Sequence, residues 1–367
     1  MKRLVFAPLV LFAALLPVSA PTPVQATPAT RRTAIQAALN QIVAAGAPGA
    51  LAEASDEDGR WAGASGVGDL RTRTPMPATG RWRIGSVTKT FTATLILQLI
   101  GERKLGLDEP IDRYLPGLLP RGGQITVRML LDHTSGLADY SASFDDTPEG
   151  FRRLARTTYT PRQLIDLGTS MPPTSRPGGP WHYSNTGYIA LGLLAEKITG
   201  QPLGYALRRR ISIPHRLSDT WLPITNPAIG GTHPRGYTTD ERGHPEDITR
   251  FNPSNAWAAG AIVSTAADLN RFFTLLLQGR LFPVSLLNQM QRTVPGPGLD
   301  YGLGLVKLTL PCGAVWGHMG HIPGYVTYSF HTRQRHLTVT ANALHATNDQ
   351  AVDAGLRQAL NAEFCTT

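Results

Sequence analysis

Gly85-Ser86-Val87-Thr88-Lys89-Thr90-Phe91 opens a helical pattern that continues through Phe91, Leu95 and Leu99, spaced at i, i+4 and i+8. Residues three apart on a helix share a face, so the Ser86 hydroxyl and the Lys89 amine lie one turn from each other. A hydroxyl becomes a nucleophile when a base takes its proton, and a lysine serves once its surroundings lower its pKa. The unpaired N–H groups of a helix start also point where an oxyanion would develop. A serine at a helix start is equally what a plain N-cap looks like. The meaning of the tetrapeptide therefore depends on the rest of the chain.

About a hundred residues later comes Tyr183-Ser184-Asn185, between the turn Pro177-Gly178-Gly179-Pro180 and an apolar helical run from Tyr188 to Ile198. Tyr and Asn two apart on a turn can face one cleft, where a phenol relays a proton and an amide bonds a carbonyl. A third stretch, Trp316-Gly317-His318-Met319-Gly320-His321, leads into the alternating segment Tyr325–Phe330. Its glycines at a strand edge allow close backbone approach. His318 and His321 have no third ligand at metal spacing, so no metal site is read here. His-Glu-x-x-His and Gly-x-Ser-x-Gly are both absent, which removes the zincin and α/β-hydrolase readings.

Taken in order, Ser86-x-x-Lys89, Tyr183-x-Asn185 and His318-x-Gly320 resemble the three active-site motifs of the penicillin-recognising serine hydrolases. The nearest group is similar to the secreted serine-type D-alanyl-D-alanine carboxypeptidases, relatives of class C β-lactamases. Residues 125–137 (ITVRMLLDHTSGL) and the run from Trp257 through Ser264-Thr265 to Leu269 also match. His133, in the first of these, is read as structural. The resemblance implies an α+β fold of the β-lactamase/transpeptidase type, an antiparallel sheet flanked by helices with an inserted all-helical lobe. It implies an acyl-enzyme on Ser86, with Lys89, Tyr183 and His318 in the catalytic set. Asn185, Trp257, Gly320 and His321 would contact substrate, and the oxyanion would lie between the N–H groups of Ser86 and His321. No cofactor is implied.

The match has departures. No Lys-Thr-Gly or Lys-Ser-Gly occurs anywhere, and His318 stands in the Lys position, which favours carboxypeptidases or esterases over β-lactamases. The carboxypeptidase group keeps an Arg for the substrate's terminal carboxylate. The segment Gly302–Lys307 lacks one, leaving Lys307 or His321 as substitutes. The expected activity is D-alanyl-D-alanine carboxypeptidation of peptidoglycan peptides. The alternatives are an esterase or D-amino-acid peptidase or amidase, and a non-catalytic penicillin-binding sensor. Partners would be a small peptide, ester or β-lactam, with a cell-wall polymer in addition.

Composition frames this reading. With 367 residues and 42% hydrophobic content, the chain buries a core unaided and is neither disordered nor a disulfide miniprotein. The net charge of +9 rests on thirty Arg and five Lys, scattered and without interleaved aromatics, so a nucleic-acid partner is not expected. Lys2-Arg3 followed by the apolar Leu4–Leu16 reads as a signal peptide cleaved after Ala26. The mature protein would be secreted and without a transmembrane anchor. In an oxidising compartment the two cysteines, Cys312 and Cys365, are expected to pair. Residues 27–33 read as a linker and 34–365 as one catalytic domain. Strand signals near both ends and helical patches between them suggest a sheet lobe at about 34–100 and 255–365, with a helical lobe at about 101–254.

Overall fold

Strand-forming stretches from the two ends of the chain pair with each other. In the computed structural model, which describes residues 27–342 and 349–365, eight strands build one antiparallel sheet. They are β1 (Gly49–Asp56), β2 (Gly59–Gly66), β3 (Val294–Gly296), β4 (Leu299–Tyr301), β5 (Val306–Leu310), β6 (Gly313–Ile322), β7 (Tyr325–His331) and β8 (His336–Ala341). Their order is β2-β1-β8-β7-β6-β5-β4-β3, so β1 closes against β8 with Ala52 opposite Val339. The inferred signal peptide lies outside the described residues.

Six helices frame the sheet and the site: α1 (Pro28–Ala44), α2 (Thr88–Gly101), α3 (Pro148–Arg156), α4 (Asn185–Thr199), α5 (Ala266–Leu277) and α6 (Asp349–Phe364). One core lies where α1 and α6 cover the outer face, with Ile35, Leu39 and Leu356 against Ala52, Tyr328 and Phe330. The larger core lies between the other face and the helices of the middle segment. There Phe91 of α2 stacks on Phe272 of α5 with ring centroids 3.8 Å apart.

The structure differs from the sequence reading in three places. Residues 28–33, read as linker, form the first turns of α1: the Thr27 side chain accepts the Thr30 N–H, Pro28 fits the first helical position, and buried Arg31 pairs with Asp56. Second, the alternation in β7 and β8, which ordinarily signals one solvated face, is buried on both sides. The inward residues are polar because they bond one another: Ser329 meets Thr338 at 2.7 Å, Thr338 reaches Asn270 at 2.8 Å, and Trp82 Nε1 donates to Thr327 at 2.8 Å. Third, the α-helix expected from Ser86 starts at Thr88. Gly85–Val87 is a 3₁₀ turn entered through Gly85 at φ +53°, a conformation that favours glycine.

Candidate active site

Ser86 is held at the junction of three elements. Trp82–Arg83 forms a short ladder with Val263–Ser264, Gly85 turns the chain, and α2 begins two residues after the serine. Strand β6 crosses directly over the turn. A Cβ on Gly320 would lie 2.0 Å from the Ile84 carbonyl oxygen and 3.2 Å from the Ser86 nitrogen, so only glycine admits this approach. Ser86 and His321 consequently line the same cavity.

Lys89, one turn into the helix, is wholly buried. Its Nζ lies 3.0 Å from Ser86 Oγ, 2.7 Å from Asn185 Oδ1 and 2.8 Å from the Ala259 carbonyl oxygen. Burial pulls its pKa down to about 7, although Asp139 works in the opposite direction. The neutral amine has two hydrogens and one lone pair. Asn185 Oδ1 and Ala259 O can only accept, so they take the two hydrogens and leave the lone pair facing Ser86 Oγ. The other side of Oγ accepts a 2.8 Å hydrogen bond from the Tyr183 hydroxyl, whose pKa burial raises, so the phenol stays protonated. A base and a proton donor therefore meet on one hydroxyl.

The amide of Asn185 is oriented from behind. Its Nδ2 donates to both Asp139 oxygens, at 3.1 and 2.9 Å, which turns Oδ1 towards Lys89. Asn185 thus accepts from the lysine with Oδ1, is held by Asp139 through Nδ2, and also borders the cavity. Asp139 escaped the sequence reading. It lies two residues beyond the 125–137 match and caps the 3₁₀ turn Tyr140–Ser143 through the Ser141 N–H. The available signal was Asp-Tyr-Ser following Leu137-Ala138, which on its own looks like any capped turn.

His318 is buried on β6, and its Nε2 meets the Tyr301 hydroxyl at 2.9 Å without contacting Ser86. Burial and the nearby Lys89 lower its pKa to about 3, so the imidazole carries no charge at neutral pH. Trp257 was expected at the substrate. It is instead a core residue, packed over Gly192 of α4, where an added Cβ would meet the indole at 2.7 Å. Its neighbours Asn255 and Ala256 line the cavity in its place. Lys307 is spent on Asp300, 3.3 Å away, and is not among the cavity's lining residues.

The cavity over Ser86 measures about 330 Å³. Phe144, with Phe151 and Leu154 of α3, forms an apolar wall, and Asp145 and Asp146 stand at the edge. Asp145 is paired with Arg153 at 2.6 Å. No lysine or arginine lines it. Cys312 and Cys365 form a disulfide with a Cα–Cα distance of 5.2 Å, which pins the end of α6 to the β5–β6 turn. Among the described residues, no helix is long and apolar enough to cross a membrane.

Comparison with known proteins is consistent with this geometry. The family model described as Beta-lactamase matches residues 35–362. The D-stereospecific amidohydrolase from a Streptomyces species superposes with a TM-score of 0.82 at 39% identity, covering 92% of this chain and 99% of that one. The D-amino acid amidase from Ochrobactrum anthropi SV3, complexed with L-phenylalanine amide, gives 0.79 at 29% identity, covering 90% and 98%. Penicillin-binding protein 4 of Amycolatopsis lactamdurans is 31% identical over 229 residues, 60% of this chain and 57% of that protein. The chain spans between 52% and 60% of the length of such penicillin-binding relatives.

Proposed function

Because the chain belongs to the Beta-lactamase family of serine hydrolases, we propose that it cleaves small amides or esters of amino acids through an acyl-enzyme on Ser86. Lys89, whose pKa of about 7 leaves a substantial neutral fraction at neutral pH, takes the Ser86 proton as Oγ bonds to the substrate carbonyl carbon. The N–H groups of Ser86 and His321 hold the oxyanion. Collapse of the tetrahedral species breaks the bond to the leaving amine or alcohol. Tyr183 delivers that group's proton and regains one from the Lys89 ammonium. Water, activated by the same pair, then attacks the acyl carbon and releases Ser86.

One observation carries the choice of substrate: the cavity has an apolar wall and two aspartates, and among the described residues no lysine or arginine lines it. A terminal carboxylate entering it would find no arginine or lysine to offset its lost hydration. An amide or ester of an amino acid with an apolar side chain and a free amino group meets no such penalty. The two amidase-like neighbours support this reading, and a preference for D-configured substrates follows from them by analogy. The D-alanyl-D-alanine carboxypeptidase reading stands second, favoured by His318-x-Gly320 in place of Lys-Thr-Gly. A secreted site of action, with access to cell-wall polymer, is supported by the sequence of residues 1–26 and the Cys312–Cys365 pair.

The test is a substrate panel with wild type and Ser86→Ala: D-phenylalanine amide, a p-nitrophenyl ester, and diacyl-Lys-D-Ala-D-Ala. We expect Ser86-dependent turnover of the amide and ester, and little D-Ala release. Faster turnover of the tripeptide than of the amide would replace this reading with the carboxypeptidase. A stable penicillin adduct without hydrolysis of any of the three would make the protein a sensor.

A further inference from the structure

We propose that His133 is a positioning residue: it fixes the Tyr183 hydroxyl against Ser86 by gripping the chain on both sides of that tyrosine. The proposal rests on the acyl-enzyme reading above.

Two hydrogen bonds make the grip. The His133 carbonyl oxygen accepts the His182 N–H at 3.0 Å, and its ring Nδ1 accepts the Ser184 N–H at 3.2 Å. Tyr183 sits between these anchors. The His133 ring centroid lies 4.4 Å from that of Tyr183, so the phenol is also braced sideways. On its other flank the same ring lies 4.6 Å from Tyr301, whose hydroxyl meets His318. One side chain thus spans the second and third sequence motifs.

Core filling alone does not account for these features. His133 has φ +62°, an unfavourable backbone state for most residues, and in this conformation carbonyl and ring face the same segment, 182–184. An aliphatic or phenyl side chain would fill the volume but could not accept the Ser184 N–H. Because Nδ1 accepts, the proton of the neutral ring is on Nε2, which is buried with no protein partner. A buried donor left unpaired costs stability, and the ring is present despite that cost. Burial, then Lys89 and His318, hold its pKa well below the usual histidine value, which keeps Nδ1 an acceptor at neutral pH.

Two variants test this. His133→Phe keeps a planar ring and removes the acceptor. His133→Asn supplies an oxygen close to the Nδ1 position, from a residue that tolerates φ near +60°. With a p-nitrophenyl ester, His133→Phe is expected to lower kcat by about 30- to 100-fold with KM within twofold, the cost of a misplaced proton donor. His133→Asn should recover most of that loss. The acid limb of the pH profile should stay in place in both, because the contacts of Lys89 are untouched. Unchanged kcat in His133→Phe, or equal losses in both variants, would overturn the proposal and leave His133 as packing. If His133→Phe does not fold, His133→Ala against His133→Asn gives the same contrast, read as the rate of acyl adduct formation on Ser86 by intact mass. Fast Asn and slow Ala support the grip, and equal rates overturn it. An inactive wild type would instead refute the hydrolase reading, and it is measured first.

Discussion

Replacing Asp139 by Asn removes one negative charge from behind Lys89 while keeping the turn cap and one hydrogen bond to Asn185. Asn caps the Tyr140–Ser143 turn as Asp does, and its Oδ1 still accepts from Asn185 Nδ2 as Asp139 Oδ1 does at 3.1 Å, but an NH2 replaces the Oδ2 that accepts at 2.9 Å. The charge and one of the two hydrogen bonds to Asn185 are lost. From Lys89 Nζ to Asn185 Oδ1 is 2.7 Å, and from Asn185 Nδ2 to the carboxylate is 2.9 Å. Across the amide this puts the charge roughly 6–7 Å from the amine. Asp139 is half-buried, so an effective dielectric between about 20 and 40 applies, giving about 1.2–2.8 kcal/mol, or about 1–2 pH units. The carboxylate favours the ammonium, so its removal lowers the Lys89 pKa further from about 7. The acid limb of kcat/KM reports the free enzyme's base. For a p-nitrophenyl ester, the half-maximal point should therefore lie near pH 7 in wild type and at roughly 5–6 in Asp139→Asn. Short assays at constant ionic strength keep acid unfolding out of the measurement. A limb that stays put or moves to higher pH would refute the assignment of Lys89 as the titrating base.

Gly320→Ala should force β6 away from Ser86, since its Cβ would fall 2.0 Å from the Ile84 oxygen. Ester turnover is expected to drop about 100-fold, with a loss of about 1–3 kcal/mol in denaturant titration; normal kinetics would contradict the backbone contact. Reducing Cys312–Cys365 opens a bridge between residues 53 apart in sequence, worth at most about 4 kcal/mol. It should lower the urea midpoint yet leave kcat/KM unchanged, because the bridge lies at the β5–β6 turn, and a kinetic change would tie the disulfide to the site. Burial also depresses the pKa values of His133, His318, His331 and His336. Below pH 6.5 the unfolded chain binds protons that these folded-state rings refuse, so stability present above that pH is lost on acidification. Glu363, raised to about 7, works in the opposite sense, as do Glu53, Asp132 and Asp268, whose carboxyl pKa values burial also raises. Denaturant titrations should give a net loss of stability between pH 6.5 and 5.5, and a flat profile would contradict the buried neutral rings.

The parts of the site legible from sequence are those whose geometry is local or whose motif is dense. Ser86 and Lys89 meet because a helical turn brings residues three apart onto one face, although the turn at Ser86 is 3₁₀ and the α-helix starts later. The sheet closing β1 on β8 follows from alternating segments at both ends with a helical stretch between. Asp139 was not legible, because its part is played through the amide of a residue 46 positions away and its own surroundings look like a capped turn. Trp257 misled for the opposite reason. It sits in a matching segment, but a large apolar side chain beside a helix glycine is better buried than exposed in a cleft. The polar inward face of β7 and β8 is likewise invisible in a pattern of alternation, which does not say what lies opposite. Asn270 and Thr340, which satisfy those hydroxyls, come from α5 and from the neighbouring strand.

The central claim is that Ser86 is the acylated nucleophile. The most direct measurement is intact-mass and peptide-level mass spectrometry of protein quenched during turnover of a p-nitrophenyl ester, with Ser86→Ala alongside. One acyl group on the peptide containing Ser86, absent from Ser86→Ala together with turnover, is the predicted result. Undiminished turnover in Ser86→Ala, or an acyl group on another residue that accounts for the rate, would contradict it.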